Sequence, residues 1–182
     1  MKVKIGKGKK VDRTAVLGYA TARKIASHDL VIGRGATIRS GTVIYGGTTI
    51  GDDLQTGHNV VIREENALGD RVWIWSNSVI DYGCRIGSRV RIHCGCYVAQ
   101  KTVIEDDAFL APGVVVANDK YPLSDQLEGP TIRKGARVGC NVTLLPGVVI
   151  GAGALIGAGS VVTKDVPDGA VAYGNPARVV KR

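Results

Sequence analysis

Residues 32–49 read IGRGAT IRSGTV IYGGTT, and the same six-residue beat runs on to Tyr121. Every sixth residue from Ile32 to Val116 is Ile, Leu or Val except Thr56, and the beat returns at Ile132, Val138, Leu144, Ile150, Ile156 and Val162. Twenty of 21 positions are filled in this way, in a chain where these three residue types supply only 50 of 182 residues. A period this strict marks a repeat architecture. It matches neither the i, i+3, i+4, i+7 spacing of an amphipathic helix nor the plain alternation of a long strand.

The fourth residue after each beat is small or β-branched in most hexads, as at Ala36, Thr42, Thr48, Val60, Ser78, Cys84, Cys96 and Thr102. Positions i+4 and i+6 lie two apart, so on a short strand they point to one side and i+5 points to the other. The remaining residues, often with Gly at i+1, form a bend. Each hexad is therefore one short strand and one corner. Successive corners wrap the chain around a thin core, and stacked wraps pair strand on strand as a parallel β-helix.

The pattern of Ile32-Gly33-Arg34-Gly35-Ala36-Thr37 and Ile150-Gly151-Ala152-Gly153-Ala154-Leu155 resembles the hexapeptide-repeat acyltransferases. The resemblance implies an all-β chain folded as a left-handed parallel β-helix, a triangular prism with three hexads per coil. The handedness comes from that resemblance, because crossovers between parallel strands are otherwise right-handed.

On this reading residues 5–22 form a first coil, 23–31 a polar excursion, 32–121 five coils, 122–131 a projecting loop, 132–167 two more coils and 168–182 a tail, in one domain of about eight coils. Lys9 occupies an inward position of the first coil, which predicts fraying there. A long loop thrown from a regular scaffold is usually functional. No run of eighteen apolar residues exists, which predicts no membrane insertion. The start, Met1-Lys2-Val3-Lys4, has no apolar signal core after it, so the expected location is cytoplasmic. The formal net charge is +8, but its lysines and arginines are scattered without an aromatic-interleaved stripe, and nucleic acid is not an expected partner. Cys84 and Cys96 fall on inward positions and Cys94 and Cys140 in corners, so the four cysteines make no disulfide framework and no zinc site.

Residues eighteen apart should stack. The outward residues then sort into three columns: Val43, Val61, Val79, Tyr97, Val115; Thr37, Gln55, Trp73, Arg91, Phe109; and Thr49, Ala67, Arg85, Val103, Tyr121. The first column is apolar although it faces outward, which marks a contact surface. It agrees with the homotrimers of the resembled family. Beside it the corners are polar. Gly57-His58-Asn59, Trp75-Ser76-Asn77 and His93-Cys94-Gly95 stand on one edge, and Arg63-Glu64-Glu65, Asp81-Tyr82-Gly83 and Ala117-Asn118-Asp119 on the other. Arg63 and Asp81, eighteen apart, are positioned to pair. Acyl transfer to an amine needs a group to take its proton, and His58 is the expected general base because imidazole titrates near neutrality. Asn59, Arg63, Glu64, Asn77, His93, Asn118 and Asp119 are the expected acceptor-binding residues.

The tail Val161-Val162-Thr163-Lys164-Asp165-Val166-Pro167 and Gly174-Asn175-Pro176-Ala177-Arg178 resembles the end of the same superfamily, where the last coils bind coenzyme A. That implies acetyl-CoA as acyl donor, with Lys164 and Arg178 on its phosphates and the low-bulk run containing Gly153, Ala158 and Gly159 along its arm. The segments around His58, Val103–Phe109 and Asn118-Asp119-Lys120-Tyr121-Pro122 resemble a narrower group, the acetyltransferases of nucleotide-linked amino sugars. Some of that group carry His or Asn where this chain has Gly95, with His93 two residues earlier, and some need no protein base. The hexapeptide carbonic anhydrases use three histidines. His58 and His93 match the first two, but the third position holds Val98, so no metal is expected. Other amine or hydroxyl acceptors, and a non-catalytic assembly subunit, are the remaining readings.

Overall fold

The computed structural model describes residues 1–181; Arg182, the end of the expected tail, lies outside the described residues. The chain is all-β, a left-handed parallel β-helix of hexapeptide repeats with three faces. The first face stacks Val3–Ile5, Leu30–Ile32, Thr49–Ile50, Ala67–Leu68, Arg85–Ile86, Val103–Ile104, Thr131–Ile132 and Val149–Ile150. The second stacks Lys10–Val11, Thr37–Ile38, Gln55–Thr56, Trp73–Ile74, Arg91–Ile92, Phe109–Leu110, Arg137–Val138, Leu155–Ile156 and Val171–Gly174, and Ala177–Lys181 folds back antiparallel on its end. The third stacks Val16–Tyr19, Val43–Tyr45, Val61–Ile62, Val79–Ile80, Tyr97–Val98, Val115–Val116, Thr143–Leu144 and Val161–Val162. We call the bends leading from first to second face, second to third and third to first the first, second and third corners.

The register follows from the beat. Val61 pairs with Val79 and Ile62 with Ile80, eighteen residues on, and the same step repeats through the stack. From Ile32 to Val162 each beat residue and the small residue before it are buried, forming one continuous core. Fully burying one such branched side chain contributes about 1.5–3 kcal/mol. Thr56, the one polar beat residue, is also buried, and its hydroxyl accepts from the Arg39 amide at 3.0 Å. The polar small residues are satisfied in the same way: Thr48 donates to the Arg63 carbonyl, Ser78 to the His93 carbonyl and Thr102 to the Ala99 carbonyl. Among the described residues no buried polar side-chain atom lacks a partner, as a thin core requires.

The corners explain the remaining pattern. A Cβ on Gly33 would lie 2.6 Å from the backbone of Gly51 in the next coil, so the i+1 position has no room for a side chain there. The i+3 residue takes positive φ, as at Asp53 (59°), Asn59 (56°) and Glu65 (58°), a conformation that favours Gly and Asn. In the first coil Val11 is exposed and Ile5 and Leu17 only half-buried, with Lys9 turned to solvent.

Both breaks in the beat leave from the third corner. Residues 20–29 connect Tyr19 to Leu30 there, and Gly46 lies beneath them, where a Cβ would meet the His28 carbonyl at 2.3 Å. The second irregular stretch runs through 117–130. Tyr121 is therefore not the last member of the first-face column: Val103 pairs with Thr131, and Tyr121 is 75% exposed within the loop. The hexad count carries the beat too far at this point because the chain leaves the stack directly after Val116. The loop closes at its base where the Glu128 amide donates to the Asn118 carbonyl and the Gly147 amide to the Glu128 carbonyl.

Candidate functional site

The expected apolar column is the outward row of the third face. Val43, Val61, Val79, Tyr97 and Val115 are successive ladder partners, followed by Thr143 and Val161. The nominated acceptor residues divide between the two edges of this face. His58, Asn59, Asn77 and His93 stand on the second corner, and Arg63, Glu64, Asn118 and Asp119 on the third.

On the second corner His58 is exposed, and its amide donates to Ser76 Oγ at 2.9 Å. Among the described residues its imidazole has no hydrogen-bond partner, so nothing in its own protomer orients it. Asn59 Nδ2 donates to Asn77 Oδ1 at 3.3 Å. His93 is stacked on Trp75 with ring centroids 4.3 Å apart and has Phe109 at 5.0 Å, which leaves its nitrogens and not its ring faces free.

The third corner is a continuous polar chain. Glu64 is fully buried and receives hydrogen bonds from Arg63 (3.0 and 3.2 Å) and from Arg23 of the 20–29 excursion (3.2 Å). Arg23 also lies 3.5 Å over the Tyr82 ring and bonds Glu65 at 3.0 Å. The expected pair forms: Arg63 Nη1 is 3.2 Å from Asp81 Oδ1. Asp81, 5% exposed, accepts from the Tyr97 hydroxyl at 2.9 Å and from the Gln100 amide, and Gln100 Oε1 accepts from Asn118 Nδ2 at 2.6 Å. The chain thus ties the first excursion to the base of the second. Such networks rigidify when every member is satisfied.

Electrostatics follow this geometry. Burial alone would raise the Glu64 pKa; hydrogen bonds from its own backbone and from Arg23, Arg63 and Thr21 outweigh it and hold the carboxyl below the usual range. Burial, then the hydrogen bond to Asp81 and its charge, push the Tyr97 phenol up to about 12. Asp119 is held low by the Ser124 amide, with the Ser124 hydroxyl and the Tyr121 amide adding to it. Its carboxylate accepts at 2.9–3.1 Å from those three groups, so it folds the loop on itself. Arg23, Tyr97 and Gln100 are not among the site residues expected from sequence. Arg23 meets Glu64 across 41 residues, a separation that no eighteen-residue period signals.

The residues nominated for the donor are spread over the prism. Gly153 is on the first corner, Ala158 and Gly159 on the second, Lys164 on the third, and Arg178 is exposed on the folded-back strand of the second face. Lys164 and Asn118 do share a cavity wall. Both line a cavity of about 490 Å³ beneath the loop, with Lys120, Ser124 and Glu128. The space where a Cβ of Gly159 would sit is open to at least 4 Å, so a ligand can approach that backbone.

The bacterial transferase hexapeptide (six repeats) family matches residues 29–64, 68–100, 83–118 and 129–164. The chain belongs to this family. Among its hexapeptide relatives, the dTDP-3-amino-3,6-dideoxy-alpha-D-galactopyranose 3-N-acetyltransferase of Aneurinibacillus thermoaerophilus is 56% identical over 48 residues, 26% of this chain and 25% of that protein. The galactoside O-acetyltransferase of Escherichia coli is 32% identical over 126 residues, 63% of this chain and 62% of the relative. The chain therefore spans less than two thirds of either protein's length. Among solved structures, the polySia-specific acetyltransferase NeuO superposes with a TM-score of 0.64 at 27% identity, over 100% of this chain and 86% of the other. Among the described residues no helix is long and apolar enough to cross a membrane.

Proposed function

We propose that this protein is an acetyl-CoA-dependent N-acetyltransferase acting on the amino group of a nucleotide-linked amino sugar, and that it works as a homotrimer with the third face turned to the threefold axis. The observation that carries the reading is the apolar outward row of that face, flanked by one polar edge holding His58 and another holding Asn118. A threefold contact is heterologous, so the second corner of one protomer meets the third corner of its neighbour. The two half-sets of acceptor residues then form one site between subunits. The short match to the relative named above as an amino-sugar 3-N-acetyltransferase supports the acceptor class. Four free thiols, none paired, fit the cytoplasm.

His58 takes the proton that the attacking amine must lose. Asn118, whose Nδ2 donates to both the Gln100 carbonyl and Gln100 Oε1, presents its Oδ1 acceptor to the sugar, with Asn59 and Asn77 facing it from the neighbouring protomer. Acetyl-CoA supplies the activated acyl group as its thioester. Lys164 and Lys120, lining the cavity beneath the loop, suit its phosphates, and the open backbone at Gly159 suits its arm. Glu64, Arg63 and Asp81 hold the third corner rigid and do not take part in proton transfer.

Free-thiol release from acetyl-CoA, measured against UDP- and dTDP-linked amino sugars, tests the reading. Release with an amino sugar, lost in His58→Ala, is the expected result. Release that survives His58→Ala removes His58 as base and leaves direct attack by the amine. Release only with sugars that carry hydroxyl groups alone replaces the N-acetyl reading with O-acetylation, in line with the galactoside relative. No release and no coenzyme A binding leaves an assembly subunit.

A further inference from the structure

A further cavity lies away from the third face. It is an open groove of about 820 Å³ on the second face and first corner, lined by Arg71, Trp73, Arg89, Arg91, Phe109 and Arg137. Trp73, Arg91, Phe109 and Arg137 are successive ladder partners, so ring and cation alternate at each rung, about 4.8 Å apart. Arg89 is neutralised by Asp107, with Nε and Nη2 at 2.6 and 2.8 Å from its carboxylate. Arg91 lies over Trp73, 4.9 Å from the ring centroid. Arg71, Arg91 and Arg137 form no ion pair among the described residues, and Asp53 and Asp107 also line the groove, so four guanidinium groups face two carboxylates.

Guanidinium groups in this excess over carboxylates, beside two rings on an outward face, are not required by the fold. The core is complete without them, and arginines of this kind are the side chains that grip phosphate in a bidentate way. The groove volume falls within the range of small-molecule sites and not of polymer tracks. It is also continuous with the second corner: Trp73 packs edge-on to Trp75 at 5.6 Å, Trp75 stacks on His93, and His93 leans on Phe109. The aromatic wall of the groove therefore runs on to the second corner, the edge that carries His58.

We propose that this groove is a nucleoside diphosphate site, with the base on the Trp73 and Phe109 rings and the diphosphate on Arg71, Arg91 and Arg137. The nucleotide of the acceptor and the adenosine end of coenzyme A share this chemistry; the choice of the acceptor rests on the function proposed above. The groove brings the nucleotide onto the second face, and the sugar projects around Trp75 to the edge of His58.

The test is direct binding to the full-length protein of UDP, dTDP and adenosine 3′,5′-bisphosphate, followed by calorimetry and by the fluorescence of Trp73 and Trp75. Saturable binding that weakens about a hundredfold or more in an Arg71→Ala, Arg137→Ala double variant is expected, because each lost charge-assisted contact costs about tenfold or more. Both residues are exposed, so the fold should be unchanged by circular dichroism. Preference for UDP or dTDP identifies the acceptor as the source, and preference for the bisphosphate identifies coenzyme A. Absence of binding, or equal affinity in the double variant, overturns the site. Thiol release separates the two proposals. Nucleotide binding without any acetyl transfer would leave the groove standing and remove the proposed activity. Transfer with an unchanged KM for the nucleotide sugar in the double variant would do the reverse.

Discussion

Asp81 is the joint of the third corner, and its removal should be felt across three coils. The carboxylate is 5% exposed and holds Arg63, the Tyr97 hydroxyl and the Gln100 amide together. Deleting one member of a buried ion pair costs about 3–5 kcal/mol, since the other charge is left behind. The Arg63 side chain is 30% exposed and keeps its bonds to Glu64, so water and Glu64 offset part of this. We therefore expect Asp81→Ala to lose about 3 kcal/mol, the low end of that range. With a urea slope of about 2–3 kcal/mol per M, the unfolding midpoint falls by about 1 M. Asp81→Asn, which keeps an acceptor for Tyr97 but no charge for Arg63, should lose less. Ultraviolet titration provides an independent readout. Tyr97 titrates near 12 through burial first and then through the hydrogen bond and charge of Asp81. In both variants its phenol should ionise at lower pH, yet stay above the ordinary value of about 10 because burial remains. Subtracting the titration of Tyr97→Phe isolates the signal from the other five tyrosines. A midpoint shift below about 0.3 M together with an unchanged Tyr97 titration would refute the network as a stabilising element.

Three further outcomes follow from the geometry. Val79→Lys places a charge at the centre of the apolar row without touching the core, so the protein should remain folded but sediment as a protomer; a trimer that persists would remove the third face from the contact. Thiol reagents at pH 8 should modify the exposed Cys94 and Cys140 and spare Cys84 and Cys96, whose thiols burial pushes up to about 12 and about 11; mass spectrometry reading four adducts on the folded protein would contradict the packing. The Asp119 carboxyl has its folded pKa below the unfolded value of about 3.9, so its contribution to loop order is full above that value and is lost as pH falls through the folded pKa. Hydrogen exchange of residues 119–127, corrected for intrinsic rates, should thus be flat from pH 7 to about 5 and rise below about pH 4, and Asp119→Ala should abolish the step.

The core and its faces were readable because each depends on one residue type recurring at one interval. Ile62 and Ile80 announce each other, and so do Arg63 and Asp81, which stand in equivalent places of adjacent coils. What escaped the sequence depends on residues that leave the interval. Arg23 reaches Glu64 from an excursion with no period of its own, and Tyr121 was carried into a column it does not join because the loop departs before its hexad is finished. Gln100 lies nineteen residues from Asp81, a diagonal contact that column sorting passes over. The division of the polar residues between two edges was visible in the corner lists. The spread of the nominated donor residues was not, because Gly153 was chosen for low bulk and Arg178 by likeness of the tail, and neither by face.

Both excursions depart at the third corner and return in register: Val3 pairs with Leu30 and Val103 with Thr131, although 27 and 28 residues separate partners that elsewhere stand 18 apart. The ladder does not record how long the chain was absent. A corner of this scaffold therefore behaves as a port whose contents can be lengthened, shortened or exchanged while the rails above and below keep their alignment. Changes within residues 117–130 can remake the surface of the loop without renegotiating how the prism folds, and transplanting that segment between relatives of this family tests whether specificity travels with it.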